Sequence, residues 1–157
     1  MVEVSFYHLT TRGLTDALGQ LVFMARGRDM RVAIACGSVE SLVQVSDSLW
    51  AYPRAEAFLA HCHSGDKLPD EQARVQKIWL TAADDFVNEP ELLILCDGRS
   101  LDGLVVPSVT RVLDVFDGND DEQLALARER YRLAKVAGHE VKYYAQNESG
   151  GWHQPRG

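Results

Sequence analysis

The sequence predicts an α/β fold: a single domain of three layers, in which helices flank one open, mostly parallel sheet. Two observations carry that reading. Strand-like and helix-like segments alternate from the N-terminus onward, which is how parallel strands joined by crossover helices are built. Two strand-like runs, residues 30–36 (MRVAIAC) and 92–96 (LLILC), are apolar almost throughout. Strands covered on both faces have that composition.

Residues 2–9 are rich in β-branched and aromatic side chains and read as a strand. A turn over 10–13 leads into a helix over 14–26, where Leu14, Leu18, Leu21, Val22 and Ala25 recur at helical spacing. Gly27 and Arg28 end it. After the strand at 30–36, Ser38 suits the N-cap of a helix over 39–49. Residues 50–53 break that helix. A short strand is expected at 58–60, then a polar loop over 61–71. Further strands are expected at 76–80, at 92–96 in the centre of the sheet, and at 109–116. Residues 120–138 are the clearest helix. Asp120, Asp121 and Glu122 open it, while Arg128, Arg130, Arg132 and Lys135 lie toward its end, as the helix macrodipole favours. Gly138 stands where it stops. Residues 140–145 (EVKYYA) alternate and are expected to close the sheet as an edge strand. The domain is expected to span residues 1–147, with 148–157 as a flexible tail.

At 157 residues the chain can bury a full core without staples. Its 46% hydrophobic and 25% charged content is ordinary for a soluble globular protein. The net charge of -7 argues against nucleic-acid binding by the whole surface and leaves room for a local basic patch. No apolar run approaches the about 20 residues that span a bilayer. The N-terminus, MVEVSFYHL, lacks the basic and long apolar regions of a secretory signal. Cys36, Cys62 and Cys96 are odd in number and far apart, and read as free thiols in a reduced, cytoplasmic protein.

The turn at Cys36-Gly37-Ser38 lies where doubly wound sheets hold phosphates. It has one glycine, and neither G-x-G-x-x-G nor G-x-x-x-x-G-K-[ST] is present, so few backbone N–H groups could wrap an anion. Glu40 would repel one besides. His61-Cys62-His63 gathers metal-ligating types, but sequence neighbours do not close a tetrahedral site and no spaced pair completes it. Asp114, Asp117, Asp120 and Asp121 lack the calcium-loop pattern. No G-x-S-x-G elbow marks a nucleophile. No metal or cofactor is therefore expected. Trp50, Tyr52, Pro53 and Phe58 crowd large apolar side chains at one helix end, where they either close the core or face a partner. In the last long helix, Arg128, Tyr131, Arg132 and Lys135 form one stripe at i, i+3, i+4, i+7, whereas Arg130 points toward Leu126, Leu133 and Ala137. Such a stripe suits an acidic peptide or a phosphate backbone, or is a solvated face.

Taken together, these segments resemble one family. They are Phe6-Tyr7 in the first strand, the run RVAIAC from Arg31, Leu49-Trp50 with Pro53, and Ala57-Phe58-Leu59 with His61. The most specific is ARERYR from Ala127, followed by Val136-Ala137-Gly138. In order and spacing they are similar to the chi subunit of the bacterial DNA polymerase III holoenzyme, over nearly the whole chain. The resemblance implies a Rossmann-like, non-catalytic accessory subunit without a cofactor. It implies binding to the acidic C-terminal tail of single-stranded DNA-binding protein, with DNA met only indirectly and no membrane partner. It implies a second partner, the psi subunit or a repair helicase at the same surface, on Trp50, Tyr52, Pro53 and Phe58. The tail site is carried onto the last long helix. Arg128 takes the terminal carboxylate, Tyr131 and Phe116 border a slot for the aromatic side chain, and Arg132 and Lys135 meet the acidic residues. Leu124 stands where relatives often carry another basic residue, so a less basic site is expected. A small α/β enzyme or nucleotide-binding protein on this scaffold is the alternative. Direct DNA binding by the stripe is a third reading, which the net charge of -7 disfavours.

Overall fold

The computed structural model describes residues 2–10, 13–51, 62–63, 66, 68–101, 106–149 and 151–155. The elements are β1 (Glu3–Leu9), α1 (Leu14–Gly27), β2 (Val32–Ala35), α2 (Val39–Trp50), β3 (Cys62–His63), α3 (Asp70–Arg74), β4 (Ile78–Thr81), β5 (Leu92–Leu95), β6 (Arg111–Asp117), α4 (Asp121–Val136), β7 (Glu140–Gln146) and β8 (Trp152–His153). The strands form one sheet in the order β3-β4-β2-β5-β6-β1-β7-β8. Every pairing is parallel except β7 with β8. The α/β architecture expected from the sequence is therefore present.

Two sides of the sheet are filled by alternate residues, as the strand period of two requires. Ile34, Leu80, Ile94, Leu113 and Val115 face α1 and α2, meeting Leu18, Leu21, Val22, Leu42, Val45 and Leu49. Val4, Phe6, Leu93, Leu95, Val112 and Phe116 face the other way and pack with Ala127 of α4. All residues of β2, β4 and β5 are buried, which explains why their sequences do not alternate. The helix starts also follow the sequence. The Ser38 hydroxyl accepts from the Ser41 N–H at 3.1 Å. The Asp120 carboxylate accepts from the N–H groups of Glu122 and Gln123 at 3.0 and 3.3 Å. Cys36 and Cys96 are buried free thiols with sulfurs 3.8 Å apart.

Three expectations change. β7 is not an edge strand, because β8 pairs with it through Ala145↔His153 and Gln146↔Trp152. Residues 148–157, expected to be a loose tail, carry β8. The cause is turn chemistry at Asn147, whose Oδ1 accepts from the N–H groups of Ser149 and Gly151 at 3.1 and 2.8 Å while its own N–H reaches the Gly151 carbonyl at 2.8 Å. The polar loop expected over 61–71 contains β3 and the start of α3. The strand expected at 58–60 lies outside the described residues.

Gly37 explains why the β2–α2 turn differs from a phosphate loop. A Cβ there would stand 2.0 Å from the Asp97 carbonyl oxygen and 3.0 Å from Asp97 Oδ2. The Ser38 hydroxyl also donates to Asp97 Oδ2 at 3.4 Å. The glycine thus serves close packing of two loops, and a carboxylate stands at the start of α2. Negative charge at that position weighs against a bound phosphate.

Candidate functional site

α4 lies along the sheet with little burial of its own: Ala127 is its one fully buried residue. Leu124, Tyr131 and Ala134 are half-buried on the same side, against the core beneath. That spacing of three, four and three fixes which way the helix faces and distributes its cations.

Arg130 turns toward the sheet. Its guanidinium grips Asp114 of β6 bidentately, with Nε to Oδ2 at 2.6 Å and Nη2 to Oδ1 at 3.0 Å. Only 10% of the Arg130 side chain and 4% of the Asp114 side chain are exposed. Burial raises the Asp114 pKa, and the attraction of Arg130 only partly opposes that rise. Arg130 is thus a structural clamp. Arg132 lies in solvent and pairs with Glu129, Nη2 to Oε1 at 2.6 Å, which lowers the Glu129 pKa. Lys135 Nζ stands 5.1 Å from the centre of the Tyr131 ring, a cation–π contact.

Arg128 is different. Among the described residues it makes no ion pair or hydrogen bond. It stands, exposed, at a cleft of about 660 Å³ lined also by Phe116, Tyr131, Val141, Lys142, Tyr143, Gln154 and Pro155. The floor is aromatic and mutually braced. Tyr143 meets Tyr131 edge-on at 6.2 Å and Phe116 at 6.3 Å, and Tyr131 packs on Phe6 at 5.3 Å. His8 stacks near Phe116 at 5.3 Å and its Nδ1 hydrogen-bonds the Tyr143 hydroxyl. Lys142 is held to Glu3 at 3.2 Å, which raises its pKa. The result is one available guanidinium above a ring-lined cleft of mixed polar and apolar surface. It can take an anion and an aromatic or aliphatic group together.

Burial depresses the His8 pKa below 6.5, and the positive charge of Arg128 adds to that depression. His8 is accordingly neutral at about pH 7 to about pH 8. An anionic ligand of the cleft is expected to bind equally well across that range. Its affinity should rise only as pH falls below 6.5, where His8 gains a proton beside Arg128. A calorimetric titration at several pH values checks this. A rise already complete by about pH 7 would remove His8 from the explanation.

Of the residues singled out in the sequence, the structure gathers Phe116, Arg128 and Tyr131 on the cleft, and Lys135 joins through the Tyr131 ring. Arg132 is exposed on the Glu129 side, and Leu124 packs on the core beneath α4. Sequence reasoning missed Val141, Lys142 and Tyr143 of β7, although their alternation beside the helix was visible. Gln154 and Pro155 had no signal. Trp50, at the end of α2, is 50% exposed. Tyr52, Pro53 and Phe58 lie outside the described residues, as does His61. Among the described residues there is no group of three His, Cys, Asp or Glu placed to hold a metal ion. None of the described helices is long and apolar enough to cross a membrane.

A second cavity, of about 420 Å³, lies on the other flank of α4 beside Leu133 and Val136. Its charged residues, Asp114 and Arg130, are engaged with each other, and its rim reaches Leu101 and Val106, which border residues outside the description. Compared with known proteins, the chain has no match among curated sequences. Residues 1–142 match the family described as DNA polymerase III chi subunit, HolC.

Proposed function

Because the chain belongs to the chi subunit family of DNA polymerase III, we propose that it is a non-catalytic replisome adaptor whose Arg128 cleft takes the acidic C-terminal tail of single-stranded DNA-binding protein. Its Trp50 surface holds psi, or a helicase at the same place, and so joins the tail to the clamp-loader assembly. It reaches DNA only through the coating protein and works in the cytoplasm. The observation that carries this reading is the unengaged guanidinium of Arg128 directly beside an aromatic slot.

The chemistry is that of a chain terminus. A free α-carboxylate accepts two N–H groups from one guanidinium, and the terminal side chain lies against the floor made by Tyr131 and Tyr143, with the buried Phe116 beneath them. Preceding acidic residues lie toward Lys135 and the exposed Arg132, where long-range attraction speeds encounter. Leu124 adds no charge, so the site relies on Arg128 more heavily than a site with two cations would. A short peptide on a patch this small binds at about micromolar affinity and is weakened by salt.

Titration with an acidic tail peptide, as the free acid and as the C-terminal amide, tests the proposal. The amide is expected to bind at least about tenfold more weakly, because the charge-assisted bond to Arg128 is lost. Equal binding of the two forms would show that the carboxylate is not what the cleft reads.

A further inference from the structure

We infer that residues 152–155 form a third wall of the Arg128 cleft and select the terminal side chain that enters it, an inference that rests on the tail-binding reading above. These residues lie beyond positions 1–142, which carry the family match. They are held in place at two points. The Asn147 turn and the antiparallel pairs Ala145↔His153 and Gln146↔Trp152 fix their path. The Trp152 ring then sits edge-on to Tyr7, with centroids 4.8 Å apart, on the face of the sheet that α1 covers.

Continuing that antiparallel course brings the exposed Gln154 and Pro155 alongside the middle of β7, where both line the cleft. Three walls then enclose it. α4 contributes Arg128 and Tyr131, the sheet contributes Phe116, Val141 and Tyr143, and the arm contributes an apolar ring and a primary amide. Each arm residue brings distinct chemistry. The pyrrolidine ring of Pro155 offers a rigid apolar surface that a planar side chain can pack against. The Gln154 amide has donors and an acceptor for the backbone of an extended peptide. Without the arm, the slot would be open on one side and indifferent to the shape of what enters. With it, a cleft of about 660 Å³ has room for one terminal side chain and its carboxylate. The ligand class is an acidic peptide that ends in an aromatic residue with a free carboxylate.

The test uses the full chain and its variant Gln154→Ala/Pro155→Gly, whose altered side chains are exposed and outside the core. Both proteins are titrated with an acidic peptide ending in Phe and with the same peptide ending in Leu. The variant is expected to lose about fivefold for the Phe-ended peptide and much less for the Leu-ended one, with its thermal midpoint unchanged. The preference for the ring therefore narrows. If wild type binds and the variant keeps both affinities, the arm is no wall, and the tail-binding reading stands without it. If the variant loses both peptides equally, the arm does not select, and the inference fails in that form. If wild type binds neither peptide, the tail-binding reading itself falls and takes the inference with it.

Discussion

Arg128→Ala is expected to reduce tail-peptide binding by roughly 10- to 100-fold, the range set by losing a charge-assisted, bidentate hydrogen bond. The fold should not notice the change. Arg128 is exposed and has no ion pair or hydrogen bond among the described residues. Surface substitutions of that kind usually stay within about 0.5 kcal/mol in stability. Two neighbours provide the contrast. Arg132→Ala should cost much less affinity, because Glu129 already neutralises part of that charge. Lys135→Ala should show mainly as a reduced salt dependence, because it acts on the acidic residues from a distance. Isothermal titration of the three variants decides the matter, alongside thermal melts. An Arg128→Ala protein that melts like wild type and binds equally well would move the site away from this cleft.

The largest effect on stability is expected from Arg130→Met. The substitution leaves the buried Asp114 carboxylate without its partner, and breaking a buried pair in this way costs about 3–5 kcal/mol. That is a large part of the roughly 5–15 kcal/mol that holds a domain together. Its pH dependence carries a definite sign. Burial already raises the Asp114 pKa in the presence of Arg130, and removing the cation raises it further. The folded variant therefore holds that proton more tightly than the unfolded chain does. Stability falls as pH climbs through the raised pKa and returns as pH drops below it. Urea unfolding at about pH 8 and about pH 5 should show the deficit of the variant shrinking at the lower value. A deficit that stays constant or grows on acidification would contradict the explanation. Adding Asp114→Leu to Arg130→Met should recover much of the loss, because no buried charge then remains.

The parts of this molecule that were legible in its sequence depend on short-range physics. The start of α4 could be read because Asp120 caps N–H groups two and three residues away. The strands β2 and β5 could be read because burial on both faces leaves no polar positions. Periodicity also separated Arg130 from the stripe of Arg128. It could not name Asp114 as its partner, since that pairing joins a strand to a helix sixteen residues on. The same limit hid the wall made by β7. Its Tyr143 alternates correctly in the sequence, but only the parallel pairing of β7 with β1 places it beside Phe116. The arm was hidden for another reason. A stretch with Gly150, Gly151 and Pro155 has the composition of a tail, and the Asn147 side chain that turns it into a hairpin acts through geometry. For the Trp50 surface, the described residues add the exposure of Trp50 and leave the rest of the aromatic group as read from sequence.

The position of β1 between β6 and β7 bears on when the cleft can exist. β1 has both its neighbours more than a hundred residues further along the chain, pairing Glu3 with Arg111 on one side and with Glu140 on the other. Contacts of such long sequence separation form late, after the loops between them have closed. A chain still emerging from the ribosome can assemble β2, β4 and β5 around α1 and α2 while β1 waits unpaired. The aromatic floor needs β1 together with β6, α4 and β7, so it closes only after those later elements are present. The cleft beside Arg128 is therefore a late product of folding, whereas Trp50, at the end of α2, belongs to the half of the sheet that can assemble earlier.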